Sequence, residues 1–325
     1  MRKGSSSILI LLILVGILSG CGKRGAERPY TIGISQFSSV GPIDDAVNGI
    51  KDALKEAGYI DGENCRIDHR NAQGDFSTAQ SIAQKFVTDK VDIIITTTTP
   101  CLQVTATVNK TIPHVFGAVT DPFRMGIAED PEHHQENITG IATLQPVDET
   151  IELITKVLPE AKNIGVIWNP TEACSEACTE IARKGVKTRG LTLKDITVTS
   201  SSEVLTAAQA LAEKGVDVFF VSGDNTVTLA LDAVVGVGRD KRIPVVTNSP
   251  ADVEKGPLFS LGADYYTVGK ETGKLAVRVI KGEKPADIPI QKLVPQELWL
   301  NSKAASALGI VFPEDALKQA AGVVE

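Results

Sequence analysis

The chain has 325 residues, of which 42% are hydrophobic and 22% charged, and it carries a formal net charge of −7 at neutral pH. Single cores usually stop growing at roughly 250 to 300 residues, so this length predicts two lobes. The acidic balance lacks the basic excess that nucleic-acid binding requires, and nucleic acid is excluded as a partner.

At the N-terminus Arg2 and Lys3 precede an apolar run, Ile8 to Leu18, which leads into "LSGC", Leu18 to Cys21. The run is shorter than the ~20 residues of a spanning helix, and the small residues Ser19 and Gly20 suit a cleavage site. The pattern resembles a bacterial lipobox, whose cysteine becomes the acylated first residue. The expectation is a lipoprotein signal peptide over 1–20, lipidation at Cys21, a tether over 21–29 and a globular part held at a membrane outside the cytoplasm. Export permits disulfides among Cys65, Cys101, Cys174 and Cys178, but spacing does not pair them. Cys174 and Cys178 stand four apart, a helical separation with poor disulfide geometry, so free thiols or another pairing are expected.

From residue 30 onward, β-branched runs alternate with helical patterns, as in parallel sheets covered by helices. The plan occurs twice. "TIGISQF" (31–37) resembles "NIGVIWNP" (163–170), "VDIIITTTTP" (91–100) resembles "VDVFFVSGDN" (216–225), and "KTIPHVFGAVTDP" (110–122) resembles "KRIPVVTNSP" (241–250). All three pairs are separated by roughly 125 to 132 positions, which points to a unit repeated in order. A weaker fourth pair is "NITGIATLQP" (137–146) and "GPLFSLGADY" (256–265). Helices are predicted over about 42–57, 75–88, 148–158, 173–184, 202–214 and 266–281, with Asp75 starting one and Gly58 ending another. The fold class is therefore α/β: two doubly wound parallel-sheet lobes joined by a hinge, with a ligand cleft between them. Lobe 1 is expected to comprise 30–145 plus about 266–285, and lobe 2 to comprise 146–265 plus about 286–325.

In open parallel sheets, ligands bind beyond the carboxyl ends of the strands. The polar and aromatic residues at those ends are Gln36, Phe37, Thr97, Thr98, Thr99, Thr120, Asp121 and Thr143 in the first half. The second half supplies Trp168 with Asn169, Asp224 with Asn225, Thr247 with Asn248, and Asp264. Such a set suits an amino acid. Asp121 or Asp264 could pair with the ammonium, threonine hydroxyls and backbone N–H groups could receive the carboxylate, and Phe37 and Trp168 could sandwich an aromatic side chain. Thr97 to Thr99 are the candidates for the polar end, and Pro100 with Cys101 starts the following helix.

Other chemistries find little support. No local signature joins Cys101 or Cys174 to His114, so a cysteine nucleophile is not indicated. Neither G-x-G-x-x-G after the first strand nor a P-loop is present, and no cofactor is expected. The cluster "EHHQE" (132–136) follows Asp130 and Pro131 and reads as a solvated turn rather than a metal site.

Together "IGISQF", "NAQGDFSTAQSIAQKFV", "GAVTDP", "IGVIWNP", "GDNTV", "LGADYYTVGKETGKLA" and the tail "LNSKAASALGIVFPEDALKQA" resemble the lipid-anchored substrate-binding proteins of ABC transporters, of the tryptophan/tyrosine type. The resemblance spans nearly all the chain after the leader. It implies a periplasmic-binding-protein fold with three interlobe crossings, a monomer, capture of a small solute, an aromatic amino acid being favoured, and delivery to an ABC permease. A receptor serving a sensor protein, or a binder of a sugar or nucleoside, is the alternative; an enzyme is not expected. The resemblance carries over Gln36, Thr97 to Thr99, Thr120, Asp121, Trp168, Asn225 and Asp264 as site positions. Two segments depart from the family pattern, "SSVGPIDD" (38–45) and "WNPTEACSEAC" (168–178), and both are expected to border the cleft.

Overall fold

The structure is a computed structural model that describes residues 28–325. The expected signal peptide, Cys21 and nearly all of the tether lie outside the described residues.

The chain begins with β1 (Tyr30–Gln36), α1 (Gly41–Glu56), β2 (Cys65–Asn71), α2 (Phe76–Asp89), β3 (Ile93–Thr97), α3 (Thr99–Val108), β4 (His114–Val119) and β5 (Ile138–Ala142). It then passes to α4 (Val147–Val157), β6 (Asn163–Trp168), α5 (Ala173–Thr188), β7 (Thr192–Thr197), α6 (Val204–Glu213) and β8 (Val218–Val221). The same lobe continues with α7 (Asn225–Leu229), α8 (Leu231–Lys241), β9 (Val245–Thr247) and β10 (Phe259–Ala263). Next, α9 (Tyr265–Ile280) and β11 (Gln291–Lys292) return to the first lobe, and β12 (Gln296–Asn301), α10 (Ser302–Leu308), α11 (Glu314–Gln319) and β13 (Gly322–Val324) complete the second.

The first sheet has the order β11-β5-β4-β3-β1-β2 and the second β13-β12-β10-β9-β8-β6-β7. Stripped of β11, β12 and β13 they are the same sheet, with each repeated segment in the same place. In both, strand order reverses beside the first strand of the unit, between β1 and β3 and between β6 and β8. The expected boundary at 285/286 is displaced: β11 pairs in parallel with β5, so the first sheet keeps the chain through Lys292. The third crossing is the short link between β11 and β12.

The inner strands of the first sheet are covered on both faces, which is why β3, β4 and β5 are buried throughout, whereas β2 at the edge is polar. Along β3, Ile93 and Ile95 enter the core beneath α1 and α9, while Ile94 enters the opposite one with Phe37 and Phe86. Helices α1 and α9 touch backbone to backbone: a Cβ on Gly269 would stand 2.0 Å from the Ala46 carbonyl oxygen. Only glycine permits that approach. The four cysteines among the described residues are buried free thiols. No helix among the described residues is long and apolar enough to cross a membrane.

Candidate functional site

A cleft between the lobes, about 610 Å³ counting its mouth, lies against the two strand-order reversals. The first lobe contributes Val40, Pro42 and Ile43 after β1, Thr98 and Thr99 after β3, and Thr120 after β4. The second contributes Cys174 after β6, Gly223, Asp224 and Asn225 after β8, and Asn248 and Asp252 after β9. Gln145 and Tyr265, at two of the crossings, also line it and hydrogen-bond to each other through Nε2 and Oη.

On the first-lobe side the backbone is strained. Thr98 has φ 78° and ψ 155°, a conformation almost confined to glycine and costing about 1–3 kcal/mol. Its N–H donates to the Gly117 carbonyl at 3.2 Å, and its buried Oγ1 has no partner. One strand over, Ala118 has φ 55° where β4 loses register against β5 between Phe116 and Val119. Two unfavourable conformations thus meet at the cleft. Thr98 also precedes α3, whose N-terminus has no side-chain cap and no acidic residue in its first turn. Unsatisfied N–H groups at a helix start favour an anion.

The second-lobe side is acidic. Asp224 caps α7 by accepting from Val227 N at 2.7 Å, while its other oxygen accepts from Asn169 N at 2.6 Å and Ser175 Oγ at 2.5 Å. Glu172, fully buried, accepts from Thr226 N and Oγ1 at 3.0 and 2.6 Å and from Asn225 N and Nδ2 at 3.0 and 2.6 Å. These bonds fix the loop that follows β8. Burial, and next the Glu172 charge, push the Asp224 carboxyl well above the usual carboxylate range. Asp252 is also buried, but its carboxylate is occupied by Lys255 Nζ at 2.7 Å and Ser249 Oγ at 2.5 Å.

Of the residues expected at the site, Thr98, Thr99, Thr120, Asn225 and Asn248 line the cleft. Gln36 is buried beside it, donating to Ser38 O and Asp44 Oδ1 and bonded to His69 Nε2 at 2.8 Å. Phe37 lies in the core against Phe76, ring centres 5.2 Å apart. Thr97 donates to Ser35 O at 3.4 Å, and the buried Thr143 has no side-chain partner. Asp121 closes a turn by accepting from Phe123 N and Arg124 N at 3.1 and 3.2 Å. Trp168 donates to Asp195 Oδ2 at 2.8 Å beneath the Arg183 guanidinium, away from the cleft lining. Asp264 caps α9, accepting from Tyr266 N at 3.0 Å and Thr267 N at 3.2 Å, and faces a separate groove.

Asp224 stands among the strand-end residues, whereas Gln145, Tyr265, Cys174 and Asp252 line the cleft from outside that pattern. The two segments that depart from the family pattern do reach the cleft, through Val40, Pro42 and Ile43 and through Cys174. Cys101 bonds Ser35 Oγ at 3.3 Å, and His114 meets Thr96 Oγ1 at 2.9 Å; burial pushes the thiol up to about 12 and the imidazole down to about 3. In the "EHHQE" segment, His133 Nδ1 bonds Asp130 Oδ2 at 2.8 Å in a turn, and no cluster suited to a metal occurs among the described residues.

The family model of ABC transporter substrate binding proteins matches residues 31–324. A tyrosine-binding protein of Clostridioides difficile (strain R20291) is 34% identical over 319 residues, covering 94% of this chain and 92% of the relative. An ABC domain from Streptococcus pneumoniae in complex with L-Trp superposes with a TM-score of 0.87 at 32% identity, over 91% of this chain and 100% of that one. A ligand-free, open substrate-binding protein with adhesive properties from Clostridium difficile, also 32% identical, reaches a TM-score of 0.67 over 91% of this chain and 99% of its own. At equal identity, this chain superposes more closely on the complex than on the ligand-free, open form.

Proposed function

Since the chain belongs to the ABC transporter substrate-binding proteins, we propose that it captures a free aromatic amino acid between its lobes and delivers it to a membrane permease. The observation that carries this reading is the charge of the cleft. Among the described residues its lining includes Asp224 and Asp252 and no lysine, arginine or histidine. Asp252 is neutralised by Lys255, whereas Asp224 has only neutral donors. An ammonium supplied by the ligand completes that site.

The opposite charge has a place across the cleft, where Thr98 and Thr99 open α3 and can receive a carboxylate. The α7 N-terminus in the second lobe is already taken by Glu172 and Asp224. The zwitterion is therefore held by both lobes, and the closed arrangement is favoured because only it supplies both contacts. Val40, Pro42, Ile43 and Leu231 give the side chain an apolar wall. The ligands that the relatives are named for, tyrosine and L-Trp, support an aromatic one. The "LSGC" segment supports anchoring through lipidated Cys21; Cys21→Ser should release the protein from membranes.

Calorimetry against a panel of amino acids, sugars and nucleosides tests the ligand. Micromolar or tighter binding of L-tyrosine or L-tryptophan is expected, with a loss of at least about tenfold in Asp224→Asn. A sugar or nucleoside that binds where no amino acid does would remove the ammonium role of Asp224.

A further inference from the structure

The amide of Asn248 is anchored on one side only. Its Nδ2 donates to Thr150 Oγ1 at 2.7 Å and to the Leu261 carbonyl at 2.5 Å. The second partner is a carbonyl, which fixes the orientation: nitrogen toward the lobe, oxygen as the remaining group. That Oδ1 is buried without a partner, on a residue that is 4% exposed and lines the cleft.

Among the described residues no donor reaches it. Pro42 lacks an N–H, and the Ile43 N–H is turned back to Val40 O at 3.0 Å. The neighbouring Asp252 is occupied by Lys255 and Ser249. A buried carbonyl oxygen left unsatisfied is costly, so a donor on the ligand is the remaining way to complete it.

The ligand's ammonium is placed elsewhere. In the sheet order β9-β8-β6, the Asp224 carboxylate leans toward the β6 side, through Asn169 and Ser175, whereas Asn248 follows β9. Two strand spacings are about 10 Å, a span an aromatic amino acid fills with a hydrogen bond at each end. We propose that Asn248 Oδ1 is the specificity-determining acceptor of the cleft, receiving an O–H or N–H borne by the ligand's side-chain ring. This rests on the amino-acid reading above and adds a selection among aromatic residues: a phenol or an indole is accepted and a plain phenyl ring is rejected. Sites built to bond a polar group discriminate steeply against the analogue that lacks it.

The test is a ligand series on the intact chain. Expected dissociation constants for L-phenylalanine and O-methyl-L-tyrosine are at least about a hundredfold weaker than for L-tyrosine, and for 1-methyl-L-tryptophan weaker than for L-tryptophan by a similar factor. In Asn248→Ala, checked for folding by its thermal melt, the tyrosine-to-phenylalanine ratio should fall to within about threefold. Phenylalanine binding wild type as tightly as both tyrosine and tryptophan overturns the assignment while leaving amino-acid capture standing. A ratio that survives in the variant overturns it too. Failure of every amino acid to bind removes the underlying reading along with it.

Discussion

Asp224 faces the Glu172 charge inside the protein while three neutral donors hold its oxygens. Burial and that neighbour raise its carboxyl from the ordinary 3.8 to about 7. Because the folded chain binds this proton more tightly than the unfolded one, ionising Asp224 costs stability as pH rises from 3.8 to about 7. A ligand ammonium reverses the balance by favouring the ionised form. Binding of L-tyrosine at pH 6 should therefore release a proton, and affinity should fall by up to about tenfold per unit below pH 7. Calorimetry at pH 6 in two buffers of different ionisation enthalpy measures the release directly. Equal heats in both buffers would show that the ammonium does not rest on Asp224, and in Asp224→Asn the pH dependence should vanish.

Helix α9 carries the chain across the lobes and shows how an element can claim a residue that looks free to bind. Asp264 stands after β10 and before the crossing, but both of its oxygens are turned onto the first turn of α9, including the Thr267 hydroxyl. Asp264→Ala should cost about 1 kcal/mol and lower the melting temperature by about 2 to 4 °C, as measured by a thermal scan. A hundredfold loss of tyrosine affinity without that drop would return the residue to the ligand. The same distinction explains what was legible in the sequence. The repeated strands and their helices could be read because burial on both sheet faces leaves unbroken apolar runs, and Thr98, Thr99 and Asn248 because they directly follow such runs. Which way a strand-end side chain turns is decided by partners far along the chain: Trp168 is drawn to Asp195 and Arg183, and Phe37 to Phe76. Gln145 and Tyr265 belong to crossings rather than strand ends, so no strand pattern marked them. Cys174 and Asp252 sit one helical step beyond their strands, where position in sequence does not say which residues face the other lobe.

At the scale of the whole molecule, closure brings together groups from lobes that are otherwise joined only at the crossings. Arg124, in the loop after β4, forms an ion pair at 2.8 Å with Glu180 on α5 of the other lobe. Asp121 positions it by accepting the Arg124 N–H at 3.2 Å, so a residue expected to touch ligand instead shapes a contact between lobes. The pair requires the lobes to meet and makes no use of the ligand, which makes it a latch on the closed form. Its ends are 41% and 38% exposed, so solvent screens it and its effect is modest. Glu180→Gln should weaken tyrosine binding by about two- to fivefold at low ionic strength and by less in high salt. The change should lie in the dissociation rate, because the latch forms after the ligand has been enclosed. Stopped-flow release of tyrosine at two salt concentrations measures both features. A variant that releases ligand at the wild-type rate in low salt would show that the lobes close without help from this pair.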